Sequence, residues 1–217
     1  MVVFAAFVAL FTVPKQLVVC IDPGHPSEVG RGARGKSATE VQVAWNIAKL
    51  LERRLEHRGY KVVMTKHSEE QLVRNRERAR IANDAHADLM LRLHCDASRS
   101  SGFATYYPDR QGVSEGVTGP DPRVLAATAP IAKRFHAALA KSLEGALPDQ
   151  GLKTDMDTAI GSKQGALTGS VFSQVPVVLV EMCVLTNPVD EKFISSRRGS
   201  RRMADALADA VDAALRD

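Results

Sequence analysis

The sequence predicts an α/β fold: a single three-layer domain with a mostly parallel, twisted sheet and helices on both faces. Three observations carry that expectation. Short apolar runs, Leu17 to Asp22, Asp88 to His94 and Val175 to Val180, read as buried strands. Helix-periodic segments alternate with them, as crossover connections between parallel strands require. No internal repeat and no long Gly/Ser- or Pro-rich linker divides the chain. At 217 residues and 45% hydrophobic content, the chain is large enough to bury one continuous core.

The elements follow in order. After the first strand comes a glycine-bearing loop, Gly30 to Gly35. Thr39 is placed to cap a helix running to about Arg58, because Ala44, Ile47, Ala48, Leu51 and Leu55 repeat at helical spacing and Gly59 stops it. Tyr60 to Thr65 reads as a second strand, Glu70 to about Ala85 as a helix and Ala87 to His94 as a third strand. Phe103 to Tyr107 reads as a short strand. Three prolines and three glycines between Pro108 and Pro122 argue against regular structure there. Ile131, Phe135, Ala138, Leu139 and Leu143 mark a helix, and Pro148 to Gly169 reads as a polar connection. After the Val175 to Val180 strand, Asp190 to Ser196 predicts a short helix. Met203, Leu207, Val211 and Leu215 predict a terminal helix packed on the sheet.

Residues 1–16 form a separate region, read as an export-signal remnant or N-terminal extension. Its apolar run, Val2 to Val13, is too short to cross a bilayer as a helix but has the length of a secretory core segment. No Lys or Arg precedes it, and a first buried strand is the alternative. Residues 17–217 are then the single folded domain, the part in which a catalytic site is to be sought. The net charge of +4 is a mild basic excess without a dominant stripe, which falls short of a nucleic-acid footprint. Cys20, Cys95 and Cys183 are odd in number and lack CxxC pairing, so they read as small core fillers. Cys95 and Cys183 meet only if their strands are adjacent.

The chemistry concentrates at His25, Glu40, His94 and Glu181. Each His follows or closes a predicted strand, Glu181 closes another, and Glu40 opens the helix after the first. Ligands bind at the carboxyl ends of strands in open α/β sheets, so these residues are expected at one rim. Two imidazoles and a carboxylate suit Zn²⁺, whose catalytic sites use three protein ligands and leave one position open. Glu181 is then free to carry protons. Singly, each residue has a plainer reading: His25 in a loop, His94 as a hydrogen-bonded core histidine, Glu40 as a charge complementing the helix dipole. Glu181 resists such a reading, because an ionised carboxylate after an apolar run is costly without compensation. Asp22 is expected to orient the loop or a ligand imidazole. Arg74, Arg76, Arg78 and Arg80 spread around a helix and read mainly as a solvated face.

At Ile21-Asp22-Pro23-Gly24-His25, Glu40, Arg78, Ile81-Ala82-Asn83, Ala87-Asp88-Leu89, Leu93-His94, Ala97, Pro176 through Glu181, Thr186-Asn187-Pro188 and Asp190-Glu191, the chain resembles the zinc-dependent N-acetylmuramoyl-L-alanine amidases of the type-3 family. The resemblance runs from about Val18 to the C-terminus. It implies hydrolysis of the amide joining muramic acid to the stem peptide of peptidoglycan, outside the cytoplasm, in the periplasm or cell envelope. His25, Glu40 and His94 would hold Zn²⁺ and Glu181 would be the catalytic glutamate. A matched Arg78 would be available to a stem-peptide carboxylate. Departures are Pro26-Ser27 in place of glycine, Arg92 and Asp96 in place of Ser and Asn around His94, and Met182-Cys183-Val184 after the glutamate. None removes a ligand or the proton carrier, but they alter the pocket. Another zinc amidohydrolase or peptidase, or a wall-binding relative without catalysis, are the alternatives.

Overall fold

The computed structural model describes residues 15–216. Residues 1–14, most of the expected export signal or extension, lie outside them. In chain order the elements are β1 (Val18–Pro23), α1 (Glu40–His57), β2 (Lys61–Met64), α2 (Asn75–Asp84), β3 (Leu89–Asp96), β4 (Phe103–Tyr107), β5 (Gly112–Ser114), β6 (Val117–Gly119), α3 (Pro122–Leu143), β7 (Asp149–Thr154), α4 (Gly161–Gln164), α5 (Thr168–Val171), β8 (Val177–Val184), α6 (Pro188–Ser195) and α7 (Arg197–Leu215). No helix among the described residues is long and apolar enough to cross a membrane.

Six strands form one sheet in the order β2-β1-β3-β8-β4-β7. β2, β1, β3 and β8 run parallel, and β4 pairs antiparallel with β8 before β7 joins it in parallel. The α/β expectation, with a mostly parallel sheet, holds. Side chains alternate between the two faces of each strand. Val19, Ile21, Leu89, Leu91, Leu93, Val178 and Val180 point to one face, where α1, α3 and α7 close the main core with Ile47, Leu51, Phe135, Leu139, Met203 and Leu207. Val18, Cys20, Met90 and Val177 point to the other, against Ala82 of α2 in a smaller cluster. Continuing that alternation puts Asp22, Arg92, His94 and Glu181 on the second face, beyond the apolar cluster under α2.

Local chemistry sets the boundaries. Thr39 closes a capping box with Gln42 at the start of α1, and Gly59, at φ 85°, ends the turn after it. α2 starts at Asn75 rather than near Glu70, because its first free backbone N–H donates to the carboxylate of Glu28, 3.0 Å away. A cap borrowed from a distant loop leaves no local signature. Within the segment expected to be irregular, β5 and β6 form a hairpin whose two-residue turn, Glu115 and Gly116, has positive φ at both positions. The polar stretch after Pro148 contributes β7, a half-buried edge strand. β3 and β8 run past His94 and Glu181, so these residues stand on a sheet face instead of at strand ends.

Candidate metal centre

His25, Glu40 and His94 each offer a ligand atom, and the three atoms lie within 4.8 Å of one another. The Glu40 Oε1 is 2.9 Å from Nδ1 of His94 and 3.7 Å from Nε2 of His25. A tetrahedron with metal bonds of about 2.0–2.1 Å sets ligand atoms about 3.3 Å apart, so the spacing fits one zinc-sized ion. His25 Nδ1 lies 3.0 Å from the Gly30 carbonyl. A carbonyl only accepts, so Nδ1 carries the proton and Nε2 keeps its lone pair for a metal, the usual arrangement of a ligand histidine.

Each ligand is held by specific neighbours. His25 has φ 53°, in the left-handed region, and its carbonyl accepts from Lys66 Nζ at 2.5 Å. Arg78 grips the same loop through the carbonyls of Pro23 and Pro26, at 2.7 and 2.9 Å. Glu40 sits in the first turn of α1, where its carboxylate accepts from Ala33 N at 2.6 Å and Cys95 N at 3.1 Å. Glu191 accepts from the backbone of Ser37 and Ala38, which fixes the approach to α1. Two glycines leave the room required: a Cβ on Gly24 would stand 2.6–2.8 Å from three atoms of the His94 ring, and one on Gly32 would collide with Glu40.

Glu181 is paired in register with His94 on the adjacent strand, which puts the two side chains on the same face. Its Oε2 and the Nε2 of His94 are buried without a hydrogen-bond partner among the described residues. Burial chiefly, helped by the negative charges of Glu40 and Asp96, raises the Glu181 carboxyl well above the ordinary range, against the opposing pull of Arg92 and Lys153. Burial pushes Glu40 the same way, but the hydrogen bond and charge of His94 and the charge of His25 hold it below. Two carboxyls on one site therefore separate in acidity, one suited to ligation and the other to proton transfer.

These groups open into a cavity of about 260 Å³ lined by His25, Ser27, Asn75, Arg92, His94 and Glu181, with Thr158 to Ile160 and Leu167 across from them. A larger groove of about 950 Å³ between α2 and the β5-β6 hairpin contains no histidine. Its charges largely satisfy each other, Arg76 with Glu115 and Arg80 with Glu77.

One expectation needs correction, and one that carried two alternatives resolves to the first of them. Arg78 is not solvated: it borders the cavity beside His25 and His94, but it is 1% exposed and pairs with Asp22 at 2.6 Å. It stays inside because three backbone carbonyls satisfy the rest of its guanidinium. Asp22 contacts no imidazole; it accepts from Thr65, Arg78 and Arg92 and so organises the loop. The cysteines are free and buried as expected, and adjacent strands bring the sulfurs of Cys95 and Cys183 to 3.7 Å. Sequence reasoning assigned no role to Gly32, Lys66 or Glu191. Only Glu191 carried a signal, as part of a matched motif.

Comparison with known proteins gives one family, described as N-acetylmuramoyl-L-alanine amidase, matching residues 19–213. The chain is 29% identical over 194 residues to the N-acetylmuramoyl-L-alanine amidase LytC of Bacillus subtilis strain 168, covering 88% of this chain and 34% of that protein. It is 27% identical over 200 residues to the probable cell wall amidase LytH of Staphylococcus aureus, covering 89% and 56%. The chain thus spans about a third to about half of these relatives. The crystal structure of the amidase Ami1 from Mycobacterium smegmatis shares the fold at a TM-score of 0.74 and 22% identity, over 92% of this chain and 96% of that one.

Proposed function

The chain belongs to the type-3 N-acetylmuramoyl-L-alanine amidase family, and from that membership we infer that it hydrolyses the amide between N-acetylmuramic acid and the L-alanine of the peptidoglycan stem peptide. His25, Glu40 and His94 would hold Zn²⁺ in this reading. Bound there, the ion supplies Lewis-acid polarisation of the scissile carbonyl and lowers the pKa of a coordinated water to about 7. Glu181 moves the protons. It takes one from the attacking water and returns it to the amide nitrogen as the C–N bond breaks, freeing a peptide with an N-terminal alanine and an intact sugar carboxylate. Burial raises its carboxyl above the ordinary range, which makes it a weaker acid and its carboxylate a stronger base.

The observation that carries the reading is the convergence of two imidazoles and one carboxylate within 4.8 Å, with Glu181 beside His94 in the sheet register. A buried Nε2 and a buried Oε2 that lack partners among the described residues are consistent with groups that meet water or substrate. Peptidoglycan lies in the cell envelope, so the enzyme works in the periplasm or outside the cell. Purified sacculi digested with the zinc-loaded protein test the proposal by mass spectrometry. Free stem peptides beginning with alanine and uncut glycan chains are expected; shortened glycans, or cuts within the peptide, would overturn it.

A further inference from the structure

Arg92 stands where the family resemblance has serine, and its surroundings leave it with a donor to spare. It is 3% exposed, yet it lines the cavity that contains His94 and Glu181. Nε donates to Asp22 at 2.9 Å and Nη2 to Asn75 at 2.6 Å, which fixes the guanidinium plane. Nη1 has no hydrogen-bond partner among the described residues. The group lies flat against Gly169, where an added Cβ would come within 2.7 Å of its carbon and Nη1. Asp22 does not require this cation, because Arg78 already pairs with it and Thr65 donates to it. Two buried guanidinium groups thus share one carboxylate. Asp155 and Glu181 are the other buried acids that feel its charge, but neither shares a hydrogen bond with it among the described residues, and one oxygen of Asp155 accepts from Leu167 instead. A buried guanidinium with an unused donor is costly unless an acceptor meets it.

We propose that Arg92 forms an anion subsite on the floor of the cavity, which takes a carboxylate of the leaving peptide within two residues of the scissile amide. The placement fits: Arg92 precedes His94 by two positions on the same face of β3, so its Cα lies about 7 Å from that of His94, the span of two residues of extended chain. Asn75 and Asp22 hold the fork open in one orientation, as recognition of a carboxylate demands. The inference rests on the amidase reading and adds the substrate class: peptides with a free carboxylate after the alanine, in preference to carboxamides.

The test uses two muramoyl peptides that differ only in a free carboxylate or a carboxamide on the residue after alanine, with wild type, Arg92→Ser and Arg92→Lys, all zinc-loaded. A charge-assisted hydrogen bond in a desolvated site predicts a preference of about 10- to 100-fold in kcat/KM for the carboxylate, expressed in KM. Arg92→Ser is expected to bring that ratio to about one and Arg92→Lys to keep part of it. A merely structural Arg92 would lower both substrates together and leave the ratio intact, which overturns the proposal, as does a wild type without preference. The corresponding alanine-initiated peptides, titrated calorimetrically into the same proteins, read the subsite without turnover. Should wild type cleave neither substrate, the amidase reading fails, and binding that ignores the carboxylate removes the subsite as well. If Arg92→Ser does not fold, the wild-type preference and its reduction in Arg92→Lys decide the matter.

Discussion

Gly24→Ala isolates the geometry of the metal centre from its chemistry, because it adds one methyl group and removes no ligand. The new Cβ would stand 2.6 Å from the nearest atom of the His94 ring. Ordinary contact begins near 3.4 Å, so the ring must retreat by about 0.8 Å, the difference between the two. Metal–ligand distances tolerate about 0.2 Å. The displacement therefore exceeds the tolerance about fourfold, and zinc affinity is expected to fall by about 100-fold, the upper end of what loosening a ligand costs. Hydrolysis should fall by a similar factor or more. Gly24 lies outside the left-handed region, so alanine meets no backbone penalty and the metal-free protein should melt near the wild-type temperature. Competition against a chromophoric chelator measures the affinity. Unaltered zinc binding in Gly24→Ala would refute the packing argument.

Glu181→Gln should retain zinc and stability while lowering amide hydrolysis by about 10²- to 10⁴-fold, the usual worth of a positioned proton carrier; loss of zinc instead would make Glu181 a ligand. Arg78→Met leaves Asp22 buried with one cation fewer and frees the carbonyls of Pro23 and Pro26, so urea denaturation should show a loss of about 3–5 kcal/mol; a loss under about 1 kcal/mol would contradict the buried pair. Glu28→Ala removes the cap on α2 and should destabilise by about 1 kcal/mol, with hydrogen exchange quickened at the first turn of α2 and unchanged in α7.

Elements with strong local periodicity were legible in the sequence. α1 carries an apolar stripe, a Thr39 cap and a terminal glycine, and its observed span agrees with the expected one almost to the residue. The apolar cores of β1, β3 and β8 were equally plain, since strands buried on both faces are continuously apolar. Their ends were not. His94 and Glu181 looked like termini because polar residues usually stop a strand, whereas here they occupy a face of the sheet that faces a cavity. β7 escaped notice because Asp149–Thr154 is an edge strand without apolar alternation. The β5-β6 hairpin hid among prolines and glycines that also serve loops.

The site divides along a similar line. Residue type and position relative to the strands pointed to His25, Glu40, His94 and Glu181, and the structure brings the first three together with Glu181 alongside. The supports are long-range: Glu191 to Ser37, Lys66 to His25, Arg78 to Pro26. Such contacts join residues distant in sequence, so no local pattern announces them. Arg78 illustrates the limit, since a helical arginine is usually solvated and only the tertiary fold supplies the four partners that keep it inside.

Zinc content measured by elemental analysis, across wild type, Glu181→Gln and the His25→Ala/His94→Ala double variant, tests the central claim most directly. About one equivalent per chain is predicted in the first two and under about a tenth in the third, because only the double variant loses ligands. Zinc retained by the double variant, or an active wild type from which metal has been removed, would contradict the account.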